Sequence, residues 1–457
     1  MAWDPTLYTF VGVAATILFF AIVAGGWQYR AEPAAKAFLA LMSAMGGWVL
    51  LYAVGLGFTT LDAYRRPMAD DGPAAPPADE FASVSADAPT DAPDPDDFAD
   101  VFSVYDVREE NGDVVYYGDA LADRRSVLQA TFEQFREAGY GVTFEERTGE
   151  LALVASPLDE NEGVPWLNVA LLLATVGTTF FSGALWYYVF QRHDLAANPL
   201  GLLDALPFVL AVLGVLGTHE LGHYLASRYH GVDASLPYFI PMLPPFGTWG
   251  AVIRLRGHFP DRRSLFDVGI AGPLAGLAAA IVVTAIGLLL PPVTVPPAVV
   301  NAENTLTITF GYPPLFHAVA WAVGQPLTYP EGTVANPVIM GGWIGMLVTF
   351  LNMLPVGQLD GGHVSRAVLG PRQERLAAVV PLAPLAVAGY VYLTTSSTDS
   401  VGIWLVWTLL AAVMARMGSA TPVAEGGLGW PRVALAAVTF VLGLLCFTPV
   451  PIAVTGG

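Results

Sequence analysis

Two histidines four residues apart, with a glutamate beside the first, stand in His219-Glu220-Leu221-Gly222-His223, inside an apolar run near 202–227. Positions i and i+4 share one face of an α-helix, so both imidazoles can close on one metal ion while Glu220, one step round, meets a bound water. This is the pattern of a hydrolytic zinc site written where hydrocarbon is expected. Ionisable side chains at membrane depth cost several kcal/mol unless partnered, which makes these residues candidates for function. Zinc held by two imidazoles needs a third protein ligand, leaving the fourth position for water or substrate. Besides the pair, the chain offers His193, His230, His258, His317 and His363 and scattered carboxylates. Asp360 is the foremost candidate. It lies in the stretch Asn352 to His363, where Pro355 and Gly357 break an apolar run. Irregular backbone at membrane depth is tolerated only where protein buries it or a wet cavity meets it. The alternative for Asp360 is an ordinary N-cap of a helix beginning at Gly361.

Composition fixes the setting. Of 457 residues, 54% are hydrophobic and 13% charged, against roughly 25% charged in soluble domains. Runs long enough for a ~30 Å hydrocarbon core fall near 8–28, 37–61, 165–190, 202–227, 266–290, 336–354, 376–394, 401–418 and 431–453. The expected fold is therefore an α-helical polytopic membrane protein of about nine spans. The first run has no small-residue cleavage site after it and is read as a retained span. Arg228, Arg254, Arg256, Arg262 and Arg263 follow the fourth run, Arg366, Arg372 and Arg375 the sixth, and Arg416 and Arg432 flank the loop after the eighth. The positive-inside rule makes those loops cytoplasmic, which puts the N-terminus inside and the C-terminus outside a cell membrane.

The expected divisions are two N-terminal spans (1–64), an acidic disordered linker (65–100), a small acidic α+β cytoplasmic domain (101–163), a membrane catalytic core (164–372) and C-terminal spans (373–457). Residues 65–163 hold 24 of the 39 acidic but seven of the 20 basic residues, and so carry −17 of the net −19. The Ala-, Pro- and Asp-rich part cannot bury enough apolar surface to offset chain entropy. From Val101 the pattern changes. Strands are predicted at Val101 to Val107, Asp113 to Tyr117, Tyr140 to Glu146 and Glu150 to Ala155, with a helix from Arg124 to Ala138. The carboxylates exclude nucleic acid as a partner and argue against docking on anionic lipid. Cys446, alone, excludes an internal disulfide and a thiolate metal cluster.

Between Ser235 and Arg256, four prolines and then Gly247 and Gly250 rule out a continuous helix. A re-entrant hairpin is expected, whose edge could add an extended peptide through backbone hydrogen bonds; a structural plug is the other reading. Gly272, Pro273 and Gly276 suit close helix packing. Arg254, Arg256, Arg262 and Arg263 read as topology anchors.

Taken together, the chain resembles the site-2 protease family of intramembrane zinc metalloproteases. The resemblance rests on His219 to His223, on Asn352 to Asp360 with its Leu359-Asp360-Gly361 core, and on Ala271-Gly272-Pro273, and covers about 200–372. The run Gly247 to Ala251, followed by Pro260 to Arg263, is similar to the plastid and microbial group named for ethylene-dependent gravitropism deficiency. The resemblance implies that His219, His223 and Asp360 bind Zn2+, that Glu220 is the general base, and that Asn352 assists near the scissile carbonyl. Physics supports these roles. Zinc brings its water toward a pKa of ~7, a neighbouring carboxylate can take the proton, and an amide can donate to developing negative charge. The implied activity is cleavage of a peptide bond in or near a transmembrane helix of a substrate, expected to be single-pass. The rival is a non-catalytic metal transporter or metal-sensing membrane scaffold. It would be expected to show sites along a pore or inverted repeats, and neither is seen in the sequence.

Overall fold

The computed structural model describes residues 92–456 apart from 111, 148, 159–164, 257, 301–305, 396 and 397. The spans expected near 8–28 and 37–61, and most of the acidic linker, lie outside the described residues.

Alternating apolar residues build a four-stranded antiparallel sheet from β1 (Phe102–Glu110), β2 (Asp113–Ala120), β3 (Tyr140–Arg147) and β4 (Glu150–Pro157), in the order β1-β2-β4-β3. Helix α1 (Arg124–Glu137) crosses between β2 and β3. Asp123 starts it, its carboxylate accepting from the Arg125 and Ser126 N–H groups, which satisfies donors that have no partner within the helix. Val127, Leu128 and Phe135 then pack on Tyr116, Phe144 and Leu153. Sequence put the start of this unit at Val101, after a disordered linker; the structure extends it further back. Asp94 caps a 3-10 turn, Pro95–Phe98. Phe98 is 1% exposed and lies 5.6 Å from the Tyr116 ring and 5.5 Å from that of Phe135. The Tyr116 hydroxyl donates to the Pro93 carbonyl at 2.9 Å. A single buried aromatic anchors a stretch whose average composition reads as unstructured.

The membrane part follows in helices α2 (Trp166–Trp186), α3 (Leu206–Tyr229), α4 (Arg262–Leu289), α5 (Pro314–Ala322), α6 (Ile339–Asn352), α7 (Asp360–Leu369), α8 (Leu382–Thr394), α9 (Thr398–Met417) and α10 (Trp430–Leu445). Among the described residues, five helical stretches are long and apolar enough to cross a membrane: Trp166–Trp186, Pro199–Tyr229, Arg262–Leu289, Asp360–Thr394 and Ser400–Met417. Ile339–Asn352 and Trp430–Leu445 are shorter apolar helices. Large side chains such as Leu210, Leu225 and Leu393 are exposed on these helices, as expected where hydrocarbon is the solvent.

Three boundaries differ from the sequence expectation. The sixth run shrinks to α6, which sits tightly among its neighbours because Gly341 and Gly345 leave room for Ala211 and Val215 of α3. The seventh belongs to a longer helical stretch that begins at Asp360, in which Pro381 occupies the N-cap of α8, where its missing N–H does not matter. The ninth ends at Leu445. Pro449 and Pro451 remove the donors a helix needs, and the chain forms a strand, Ile452–Gly456, paired with Leu306–Phe310 in the connection between α4 and α6.

Helices α3, α4 and α6 pack together into one core, in which Phe208, Val212, Leu277, Ala280, Trp343 and Met346 are buried. Between α3 and α4 the expected hairpin is present as β5 (Tyr238–Pro241) and β6 (Thr248–Val252), antiparallel, in a two-stranded sheet. The sheet domain touches the membrane part at the loop between the last two helices. There Gln129 Nε2 donates to the Val423 carbonyl at 2.6 Å, and Arg125 meets Glu425 at 2.8 Å.

Candidate metal centre

His219 and His223 lie on one face of α3, where their backbone spacing brings the rings edge to face with centroids 4.9 Å apart. They stand ten and six residues before the end of the helix at Tyr229, about 15 and 9 Å from it by the 1.5 Å rise. Asp360 comes from the first turn of α7. Its carboxylate does not cap that helix: the N-cap is Leu359, with no side-chain hydrogen bond. The oxygens reach the imidazoles instead, Oδ1 3.2 Å from His223 Nε2 and Oδ2 3.3 Å from His219 Nε2. The two Nε2 atoms are 3.2 Å apart.

These separations carry chemical information. A tetrahedral zinc with bonds of about 2.0–2.2 Å has ligand-to-ligand edges of roughly 3.3–3.5 Å, close to the three observed. His223 Nδ1 stands 2.8 Å from the Val268 carbonyl. A donor there leaves Nε2 as the lone-pair atom of a neutral ring, the tautomer a metal requires. That lone pair is directed at another imidazole nitrogen and a carboxylate, an unfavourable arrangement unless a cation is shared among them. Asp360 Oδ2 is buried with no donor in hydrogen-bonding geometry, which fits the same conclusion. Among the described residues, His219, His223 and Asp360 are the one group of this kind able to hold a metal ion.

Glu220 is 7% exposed, and the backbone of Ile253, just past β6, lies near its carboxylate. Asn352, the last residue of α6, places Nδ2 3.4 Å from His219 Nε2. All five residues singled out from the sequence therefore meet in one place, contributed by three helices. Of the other described histidines, His193 lies beside Asp204 and His230 beside Asp267, whereas His363, buried one turn on from Asp360 on α7, stands close enough to interact with Asp360 and His223.

Sequence reasoning missed the cradle. Gly272 and Gly276 of α4 were read as helix-packing residues, yet they face the imidazoles. A Cβ at Gly276 would come within 2.8 Å of His219 Nδ1, and one at Gly272 would overlap His223 Nε2. Their i, i+4 spacing, matching that of the histidines, was the available signal. The Val268 carbonyl and the Ile253 backbone carry no side-chain signature and could not have been found.

A helical membrane bundle with a His-Glu-x-x-His pair, completed by a carboxylate from a distant helix, defines a polytopic protein with a metal centre of the zinc-hydrolase type. Residues 207–390 match the model of peptidase family M50, the site-2 proteases. Residues of this chain are 36% identical over 167 positions to "Probable zinc metalloprotease EGY1, chloroplastic" of Arabidopsis thaliana, covering 36% of this chain and 30% of that protein. A 31% identity over 265 positions relates it to "Probable zinc metalloprotease EGY2, chloroplastic" of the same plant, covering 56% and 44%. "Probable zinc metallopeptidase EGY3, chloroplastic" is 26% identical over 299 positions, covering 62% and 48%. The matched part thus spans less than half the length of these relatives.

Proposed function

We propose that the chain is a zinc-dependent intramembrane endopeptidase that hydrolyses a peptide bond in or near a transmembrane helix of a substrate protein. The observation that carries this reading is the meeting of two α3 imidazoles and the Asp360 carboxylate at 3.2–3.3 Å inside an apolar bundle. His219, His223 and Asp360 would hold the zinc ion, which when bound would supply an acidified water and a polarised carbonyl. Glu220, adjacent on the helix, is placed to accept the proton of the attacking water and would pass it to the leaving amine. Its burial keeps bulk water from competing for the carboxylate. Asn352 donates to the oxygen on which negative charge develops and adds no charge of its own.

Substrate is held extended. Among the described residues, β5 and β6 form a sheet of two strands, so the outer edge of β6 has no strand beside it. An unwound segment added there gains the backbone hydrogen bonds it lost with its helix. Ile253, just past that edge, has its backbone near Glu220.

The chain has about nine spans, with the acidic domain on the cytoplasmic side of a cell membrane. The contact of that domain with the 423–425 loop supports one side for both, and arginines cluster there. The chain divides into N-terminal spans, acidic linker, acidic domain, catalytic core and C-terminal spans; the packing of Phe98 and the Pro93 carbonyl supports starting the acidic domain at Pro93. Purified protein should contain about one zinc per chain, and Glu220→Gln should keep that zinc while cleavage of a membrane-embedded reporter falls at least a hundredfold. Cleavage at the native rate by the variant would remove Glu220 as the base.

A further inference from the structure

Helix α2 stands outside the α3–α4–α6 core, yet it grips the hairpin along most of its length. Near its start, Asn168 Nδ2 donates to the Leu236 and Pro237 carbonyls at 2.8 and 3.2 Å. Ten residues on, a rise of about 15 Å, Thr178 Oγ1 donates to the Gly247 carbonyl at 2.6 Å. At its end, Trp186 Nε1 donates to the Pro245 carbonyl at 2.7 Å. Asn168 and Trp186 satisfy the Pro237 and Pro245 carbonyls, which β5–β6 pairing does not use, in a setting where an orphan carbonyl is costly, and Thr178 adds a donor to the Gly247 carbonyl, which also accepts from the Met242 N–H at 3.1 Å. The contact is close enough to constrain the sequence: Gly247 has φ +83°, and a Cβ there would overlap the backbone of α2 at Thr179. From the other side, Phe246 stacks on Trp343 of α6 with ring centroids 5.8 Å apart.

The hairpin is thus fixed at its base and at its tip, and its second strand leads to Ile253, whose backbone lies near Glu220. We propose that Asn168, Thr178 and Trp186 of α2 are positioning residues: they set the height of β6 against the metal centre and so select which peptide bond of an added strand is cut. This rests on the endopeptidase reading for its consequence, though not for the strut itself. The physical reason is register. Side chains alternate along a strand with a rise of about 3.4 Å per residue, so a slip of one residue changes both the bond presented and the face of every substrate side chain.

The test is Thr178→Val combined with Trp186→Phe, in the full chain reconstituted into nanodiscs, with zinc content as the check on folding. Amide exchange across 248–253 should accelerate at least tenfold in the double variant. On a transmembrane substrate KM should rise about fivefold or more with kcat within twofold, and cleavage should spread from one bond to neighbouring bonds. Thr178→Ser, which keeps the hydroxyl, should restore exchange and cleavage site. Unchanged exchange with a single unchanged cleavage site overturns the proposal, as does Thr178→Ser behaving like Thr178→Val. If the double variant loses zinc, Thr178→Val alone, nearly isosteric, is read by the same measurements. Should the native chain cut no substrate, the endopeptidase reading fails, while the exchange measurement still decides whether α2 holds the hairpin.

Discussion

At the scale of single residues, the site depends as much on missing atoms as on ligands. Gly272 and Gly276 on α4 face His223 and His219, and their lack of side chains lets two imidazoles fill the space between α3 and α4. Gly272→Ala is therefore expected to displace the His223 ring and reduce bound zinc to a small fraction of one per chain, with cleavage lost. The helix itself gains, since Ala is favoured over Gly by about 1 kcal/mol in a helix interior. Undiminished helicity by circular dichroism, with zinc lost by elemental analysis, separates this from unfolding. Full zinc occupancy in the variant would mean that the glycine serves helix packing alone. The histidines and Glu220 were legible in the sequence because their spacing encodes a helix face. Asp360 was legible because proline and glycine break an apolar run around it. The glycine cradle was not, because a glycine pair reads equally well as packing until the facing helix is known.

At the scale of elements, local pattern forecast most of the sheet domain and fell short at its start. β1 to β4 and α1 follow alternation and a 3.6-residue period, which are properties of neighbouring residues. The 3-10 turn at Pro95–Phe98 depends on Phe98 finding Tyr116 and Phe135, which lie on other elements. Phe98→Ala is expected to destabilise the sheet domain by about 3–5 kcal/mol. Its denaturant midpoint, followed by fluorescence of a label on β3, should fall while zinc content stays the same. A midpoint unchanged from native would show that the linker joins the domain without supporting it. The helix that stops at Leu445 makes the same point. Hydropathy alone carries the ninth run on to 453, whereas two prolines and a strand partner over 130 residues away end it early.

At the scale of the whole molecule, the loop between α9 and α10 carries polar contacts between the soluble and membrane parts. Glu425 meets Arg125 of α1 at 2.8 Å and Arg366 of α7 at 3.6 Å. Arg366 is on the helix that begins with Asp360. Val423 and Ala424 donate to the Phe259 and Pro260 carbonyls, both at 2.9 Å, just ahead of α4. The acidic domain is thereby tied to the two helices that cradle and complete the metal centre. The hydrogen bond from Arg125 holds the Glu425 carboxyl below its ordinary value of 4.5. A depressed value means that this contribution to docking is complete above about pH 4.5 and is lost as pH falls through the lowered value, so neutral pH leaves the contact intact. Glu425→Gln should remove that dependence and raise amide exchange in 420–428 and in α1 at pH 7. The native chain should show the same rise only in acid, or more weakly with added salt, which screens exposed pairs. Equal exchange in both proteins across the range would assign docking to Gln129 and Val423 instead.

Sequence by itself determined the chemistry and its setting: a metal-binding helix face, a distant carboxylate in broken backbone and an apolar chain with one acidic segment. These are legible because helix periodicity and hydropathy act between residues close along the chain. Tertiary structure alone decided that Asp360 faces the imidazoles instead of capping its helix, that glycines on α4 make their space, and that α2 holds the hairpin. Each of those depends on which helix lies beside which, a choice made by packing between residues far apart in the chain.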